Sequence, residues 1–250
     1  MIFRQYLHQD PVIAVSYLLG CAGKGAGVVV DPVDDIESYI RDSAELGVPL
    51  RYVIDTHVHA DHVSGGRRLA RATGAEYVLF EGADAHYDFR RVADRETLEL
   101  GNVSLEVLHT PGHTPEHISL VGTDQTRGDE PWFALTGHTL MVGDMGRTEL
   151  ASSAEEGADD LFRSAQRLRH LPDHVEVFPG AFSGSVCGRR LSGKASSTVG
   201  FERRFNQAFA ETDRSAFIEL MLQEIPPRPP GSERIRAHNL GSTPETANVR

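Results

Sequence analysis

The segment Thr56-His57-Val58-His59-Ala60-Asp61-His62 places three imidazoles and a carboxylate within six consecutive residues. Imidazole nitrogen is a good ligand for zinc, iron and copper, and a carboxylate adds an oxygen donor or a base. The segment follows the apolar run Tyr52-Val53-Ile54, which reads as a strand. Residues two apart on an extended backbone project to the same side, so His57 and His59 share a face. A polar loop that is merely rich in histidine is the plain alternative. Later histidines favour a metal: His113 in Thr110-Pro111-Gly112-His113-Thr114, and His138 after Thr136-Gly137. The candidate ligands are His57, His59, Asp61, His62, His113 and His138, each following an apparent strand, with Asp144 further on. Strand ends of a rigid sheet are where loops converge to build a site.

The elements that must position these groups follow from apolar periodicity. Val12–Leu19 and Gly27–Val30 read as a hairpin across a Gly-rich turn, and Asp31-Pro32 stops the second strand. Residues 34–47 carry Ile36, Tyr39, Ile40 and Ala44 at roughly helical spacing and end at Gly47, a plausible cap. Strands are predicted at Leu50–Asp55, Tyr77–Phe80, Val103–His109, Ile118–Val121, Phe133–Leu135 and Val175–Phe178. Helices are predicted at Ser64–Thr73, Asp159–Leu171, 197–209 and 213–222. From Pro226 the chain turns Pro-rich and polar, resembling a linker or a surface-wrapping arm. The predicted division is a domain over 1–225 and a tail over 226–250. The periodicity by itself supports only a mixed α/β chain.

At 250 residues the chain is long enough for one large domain or two small ones. Its formal net charge of -11 argues against nucleic-acid and anionic-membrane surfaces, which need a basic face. The two cysteines, Cys21 and Cys187, provide neither a disulfide framework nor a paired-thiolate zinc site. No apolar stretch approaches the roughly 18 residues needed to span a bilayer, and no leader pattern opens the chain. A cytoplasmic enzyme without nucleic-acid or membrane partners is the expectation.

The HxHxDH run, with the segments around it, resembles the metallo-β-lactamase superfamily. Val28–Pro32, THVHADH, His109–His117 (HTPGHTPEH), Val142–Arg147 (VGDMGR) and Ser197–Asn206 (STVGFERRFN) are similar to bacterial persulfide dioxygenases, often fused to a rhodanese domain. The likeness spans nearly the whole chain to about residue 240, and no rhodanese domain follows. It implies an αββα sandwich. It also implies a mononuclear non-heme iron(II) site that oxidises a low-molecular-weight persulfide with dioxygen to sulfite and thiol. The implied ligands are the first His of HxHxDH, the His of TPGHT and the Asp of a TGD motif, a 2-His-1-carboxylate set. His57 and His113 match the first two.

Two positions depart from that pattern. TGD reads Thr136-Gly137-His138, and the late histidine of the last strand falls at Ala181. A neutral His bridges two metals poorly and an Ala cannot ligate, so a dinuclear zinc hydrolase of glyoxalase II type is disfavoured. The expected centre is one metal per chain, Fe2+ with Zn2+ as the alternative, held by His57, His113 and His138 with His59 as a further candidate. Neutral ligands leave a dication's charge uncompensated, which favours a thiolate or persulfide ligand and also acidifies bound water. Sulfur oxidation, hydrolysis and a non-catalytic binding role therefore all stay open.

Asp61 and His62 are the catalytic candidates. Asp61 could orient His57 or a water, act as a base, or only brace the loop. Asp144 is expected behind the ligands or in a structural role, and His117 behind the ligands. Cys187 matches a cysteine-bearing loop of the family and could carry sulfane sulfur, or be a small buried apolar residue. Arg189 and Arg190, with Lys194 nearby, could bind substrate carboxylates or be solvated surface. Related folds often dimerise, so a homodimer is allowed.

Overall fold

The computed structural model describes residues 1–223 and 225–243. Two six-stranded sheets face each other. The first runs in chain order: β1 (Ile2–His8), β2 (Ala14–Cys21), β3 (Ala26–Val30), β4 (Leu50–Ile54), β5 (Glu76–Phe80) and β6 (Arg90–Val92). The second contains β7 (Thr97–Leu100), β8 (Val103–His109), β9 (Ile118–Asp124) and β10 (Phe133–Gly137). After a small hairpin of β11 (Leu140–Met141) and β12 (Asp144–Met145), it is completed by β13 (Glu176–Pro179) and β14 (Ser197–Thr198), in the order β14-β13-β10-β9-β8-β7. Side chains alternate between the faces of a strand. Tyr17, Val28, Tyr52 and Ile54 of the first sheet therefore meet Leu105, Val107, Leu120 and Phe133 of the second in one core.

The outer faces take the helices. Leu18, Val29 and Val53 pack with Tyr39 of α1 (Glu37–Glu45) and Leu69 of α2 (Gly66–Thr73). Leu108, Val121, Ala134 and Val177 pack with Leu161 and Leu168 of α3 (Ala154–Arg169). Phe209 of α5 (Gln207–Ala210), which follows α4 (Val199–Phe205), and Phe217 of α6 (Arg214–Leu222) join that layer. This is the αββα sandwich. Each fully buried Phe or Leu of these layers contributes about 1.5–3 kcal/mol. Helix α3 starts five residues before its predicted onset because Ser153 and Glu156 form a capping box, with Ser153 Oγ accepting from the Glu156 amide at 3.2 Å. The predicted helix 197–209 divides at Asn206, whose side chain caps α5.

Besides the two-residue strands β11, β12 and β14, the sequence did not show β1, β6 and β7. Strand β1 pairs along its whole length with β2. Strands β6 and β7 are short edge elements whose polar residues hide the pattern.

Of the two expected roles for the tail, linker or surface-wrapping arm, its described part takes the second and adds a helix. The segment 226–243 folds back over the domain, and Ser232–Asn239 forms a helix, α7. Arg147, which is 4% exposed, donates to the carbonyls of Pro226 and Pro227 and so ties the Pro-rich stretch down. The rest of the predicted tail, 244–250, lies outside the described residues. No helix among the described residues is long and apolar enough to cross a membrane.

Candidate metal centre

The histidine loops leave neighbouring strand ends. The loop after β4 brings His57 to His62, that after β8 brings His113, and β10 ends at Gly137, one residue before His138. His57, His113 and His138 are each 1% exposed, and one ring nitrogen from each lies within 4.8 Å of the others.

Hydrogen bonds fix which nitrogen each ring offers. Thr56 Oγ1 donates to Asp31 Oδ2 at 2.9 Å, so at 3.0 Å it accepts from His57 Nδ1–H. This leaves His57 Nε2 as a bare acceptor. His113 Nδ1–H donates to the Arg147 carbonyl at 2.8 Å, which likewise frees Nε2. That atom lies 3.2 Å from His138 Nδ1. Burial, then the neighbouring imidazoles, holds the His57 pKa well below its ordinary value. The same two causes push His113 down to about 3. His138 is lowered too, chiefly by burial. Neutral imidazoles are what metal coordination requires.

His117 is 0% exposed and sits behind this set. Its Nε2 accepts from the His138 amide at 3.0 Å, so its proton is on Nδ1, facing the hydroxyls of Thr139 at 3.0 Å and Thr110 at 3.1 Å. It therefore positions the backbone that carries His138. The turn itself requires Gly137, whose φ is +48°. A Cβ there would stand 2.5 Å from His117 Nε2 and 2.6 Å from Thr56 Oγ1. Gly137→Ala is expected to cost about 1–3 kcal/mol in backbone strain alone and to lower metal content. Unchanged melting and full metal content would show that the turn relaxes.

His59 stands beside the three-histidine set: one of its ring nitrogens lies within 4.8 Å of ligand atoms of His57 and Asp61, and its Nδ1 has no hydrogen-bond partner. Its Nε2 bonds Asp31 Oδ1 at 3.2 Å and its Nδ1 is 3.5 Å from Asp61 Oδ1. Burial pulls its pKa down, but Asp31 and Asp61 outweigh that and hold it well above the ordinary value. It lies between two carboxylates. Asp61 pairs on its other oxygen with His62 Nδ1 at 3.2 Å. Burial raises its pKa, and the two histidines overcome this, keeping it well below the usual carboxylate range. Its ion-pair partners are thus His59 and His62.

Arg189 also needs correction, and Asp144 takes the structural of its two expected roles. Asp144 accepts from the amides of Arg189 at 2.7 Å and Arg190 at 3.1 Å, and from the Arg189 guanidinium at 2.9 Å. Arg189 spends a further donor on the Leu220 carbonyl. The pair pins a loop to α6 instead of supporting a ligand or gripping substrate. Arg190 reaches Gln207 at 3.4 Å, on the same side. Cys187 is 1% exposed, and its sulfur lies within 4.8 Å of ligand atoms of Asp61 and His138.

The sequence reading missed four contributors. Asp31, taken as a strand stop, accepts from the Thr56 amide at 2.7 Å as well as from His59. Glu116 Oε1 accepts from the Val58 amide at 2.9 Å. Arg236 of α7 donates to the Val58 carbonyl at 2.8 Å and to Glu116 at 3.2 Å. Asn239 donates to the carbonyls of His59 at 2.9 Å and His62 at 2.8 Å, and accepts from the Ser64 amide at 3.1 Å. The adjacency Val30-Asp31-Pro32 was the one local signal. The other three partners are distant in sequence.

The donor set fits a metal ion. His57 Nε2, His138 Nε2, both His62 nitrogens and both Asp61 oxygens are buried without a hydrogen-bond partner. Buried polar atoms in folded proteins are otherwise nearly always satisfied.

A model of the metallo-beta-lactamase superfamily matches residues 10–180, and the chain belongs to that superfamily. It is 29% identical to the mitochondrial persulfide dioxygenase ETHE1 of Bos taurus, over 86% of this chain and 78% of that protein. It is 32% identical to a hydroxyacylglutathione hydrolase of Rhodospirillum rubrum, over 70% of this chain and 65% of that one. The crystal structure of ETHE1 from Myxococcus xanthus matches with a TM-score of 0.83 at 30% identity, covering 97% of this chain and 100% of that one.

Proposed function

We propose that this protein is a mononuclear non-heme iron(II) enzyme that oxidises a small persulfide or thiol with dioxygen. The observation that carries the reading is the short supply of donors for a second ion, with Ala181 where a late histidine would stand. A dinuclear hydrolase needs donors for a second ion beside the first. Here the second histidine of HxHxDH has one ring nitrogen bonded to Asp31 and so offers a single donor, Nδ1. Ala181, 1% exposed, adds no donor.

His57, His113 and His138 would hold the ion. Iron(II) would supply Lewis acidity and redox capacity at open coordination positions. The chain's own contribution is charge and protons. Three neutral ligands leave the dication uncompensated, which favours an anionic sulfur substrate. His62, 7% exposed with Nε2 unpartnered, can take or give a proton beside Asp61. Cys187 stays a neutral thiol in the absence of an ion, because burial and Asp61 push its pKa well up.

A zinc-dependent thioester hydrolase is the second reading. It is favoured by the three-imidazole set, which acidifies a metal-bound water, and by the Rhodospirillum relative.

The test is oxygen uptake by anaerobically iron-loaded protein given glutathione persulfide. Uptake with sulfite formation is expected. No uptake overturns the reading, and thioester cleavage by the zinc form would replace it. His138→Asp should raise the rate of persulfide oxidation, because a carboxylate stabilises the oxidised ion better than an imidazole does. Complete loss in that variant, with iron still bound, would show that the chain runs a different reaction.

A further inference from the structure

We propose that Cys187, Asp61 and His138 form a second, sulfur-containing metal position, which shares His138 with the three-histidine set and competes with it for a single ion. A sulfur, a carboxylate oxygen and a ring nitrogen from these residues lie within 4.8 Å of one another. All three side chains are buried: Cys187 and His138 are each 1% exposed and the Asp61 side chain 2%. Two further observations point to a ligand. Neither Asp61 oxygen makes a hydrogen bond, and His138 Nε2 has no partner although Nδ1 faces His113.

The position is also built. The Cys187 amide donates to Ser185 Oγ at 3.2 Å, and its carbonyl accepts from the Arg147 amide at 3.2 Å. The Arg147 carbonyl is the group that orients His113. One backbone unit therefore fixes the thiol and a ligand of the other position together. The Arg147 side chain bonds the Val186 carbonyl at 3.0 Å, which stiffens the same loop.

The two positions differ in charge and softness. Three imidazoles leave a dication's charge intact. A carboxylate and a thiolate cancel it, with the thiol proton released to solvent as the metal binds. Thiolate is a soft ligand suited to zinc. Zinc is therefore held at the sulfur position and iron(II) at the histidine position. His138 serves both, so the two are alternatives and the chain takes one ion. This holds whichever reaction the iron form performs.

The test uses the full chain, stripped and reloaded with zinc or with iron(II) under anaerobic conditions, and X-ray absorption at each metal edge. The zinc form should show a sulfur scatterer at about 2.3 Å beside nitrogen and oxygen at about 2.0–2.2 Å. The iron form should show none, and each form should contain one ion per chain. Cys187→Ser should remove the sulfur scatterer and weaken zinc binding by at least the about 10–100-fold that loss of an outer partner costs. Iron content should be unchanged. A zinc form without sulfur in the unaltered chain overturns the proposal, and so does a sulfur scatterer that survives Cys187→Ser. Two zinc ions bound at once would refute the competition. The wild-type spectra decide the matter even if the variant folds poorly.

Discussion

His138→Ala is expected to leave a folded protein that no longer holds its metal. The imidazole is common to the two groups of donors, so its removal leaves two ligands at either position. The bond that shapes this turn is made by the His138 amide to His117, and alanine keeps it. Truncation also removes a buried ring nitrogen that has no partner. Melting of the metal-free protein should therefore change little. Metal affinity should fall by more than the about 10–100-fold typical of losing a residue behind a ligand. A competition titration against a chelator measures this, with exposed His86→Ala as the control. Equal affinity in both variants would remove His138 from the centre.

The second large effect is expected at α7. Asn239 occupies its whole amide on the histidine loop, and Arg236 holds Val58 and Glu116. Asn239→Ala orphans two buried carbonyls and an amide, at a cost of about 1–3 kcal/mol for each group that water does not reach. Arg236→Ala leaves the Glu116 side chain, 5% exposed, without its cation. Losing a hydrogen bond to a charged group costs about 1.5–3 kcal/mol. For a chain of this size, each kcal/mol lowers the melting temperature by about 2–4 °C. The loop so released carries His57, so metal affinity should fall in the same variants, by about tenfold or more. Lower melting with undiminished metal affinity would make α7 a plain structural cover. Intact melting would mean that the loop holds its shape without it.

What was legible in the sequence was what chemistry writes locally. His57, His113 and His138 each follow a strand end, and in two cases a glycine turn marks the place. Individual strands were visible where residues alternate or run apolar, as in Val103–His109, while the sandwich itself came from the family resemblance. What the sequence did not show shares a different cause. His59 shares the motif and the face of His57, and only the fold reveals that Asp31 and Asp61 enclose it. Asp144 and Arg189 each offered a reactive group, and neither signals that the other neutralises it 45 residues away. Arg236 lies 178 residues from Val58, in a stretch whose prolines suggest a linker, so no periodic pattern announces its partner.

That distance also sets a schedule. Asn239 is made 177 residues after the His62 carbonyl it binds. At the usual pace of synthesis, about 5–20 residues per second, the interval is about 10–35 s. Throughout it the nascent histidine loop lacks the helix that closes over it. The rim of the metal centre is thus among the last parts of the molecule to be finished, and an ion that arrives early meets a loop still free to rearrange around it.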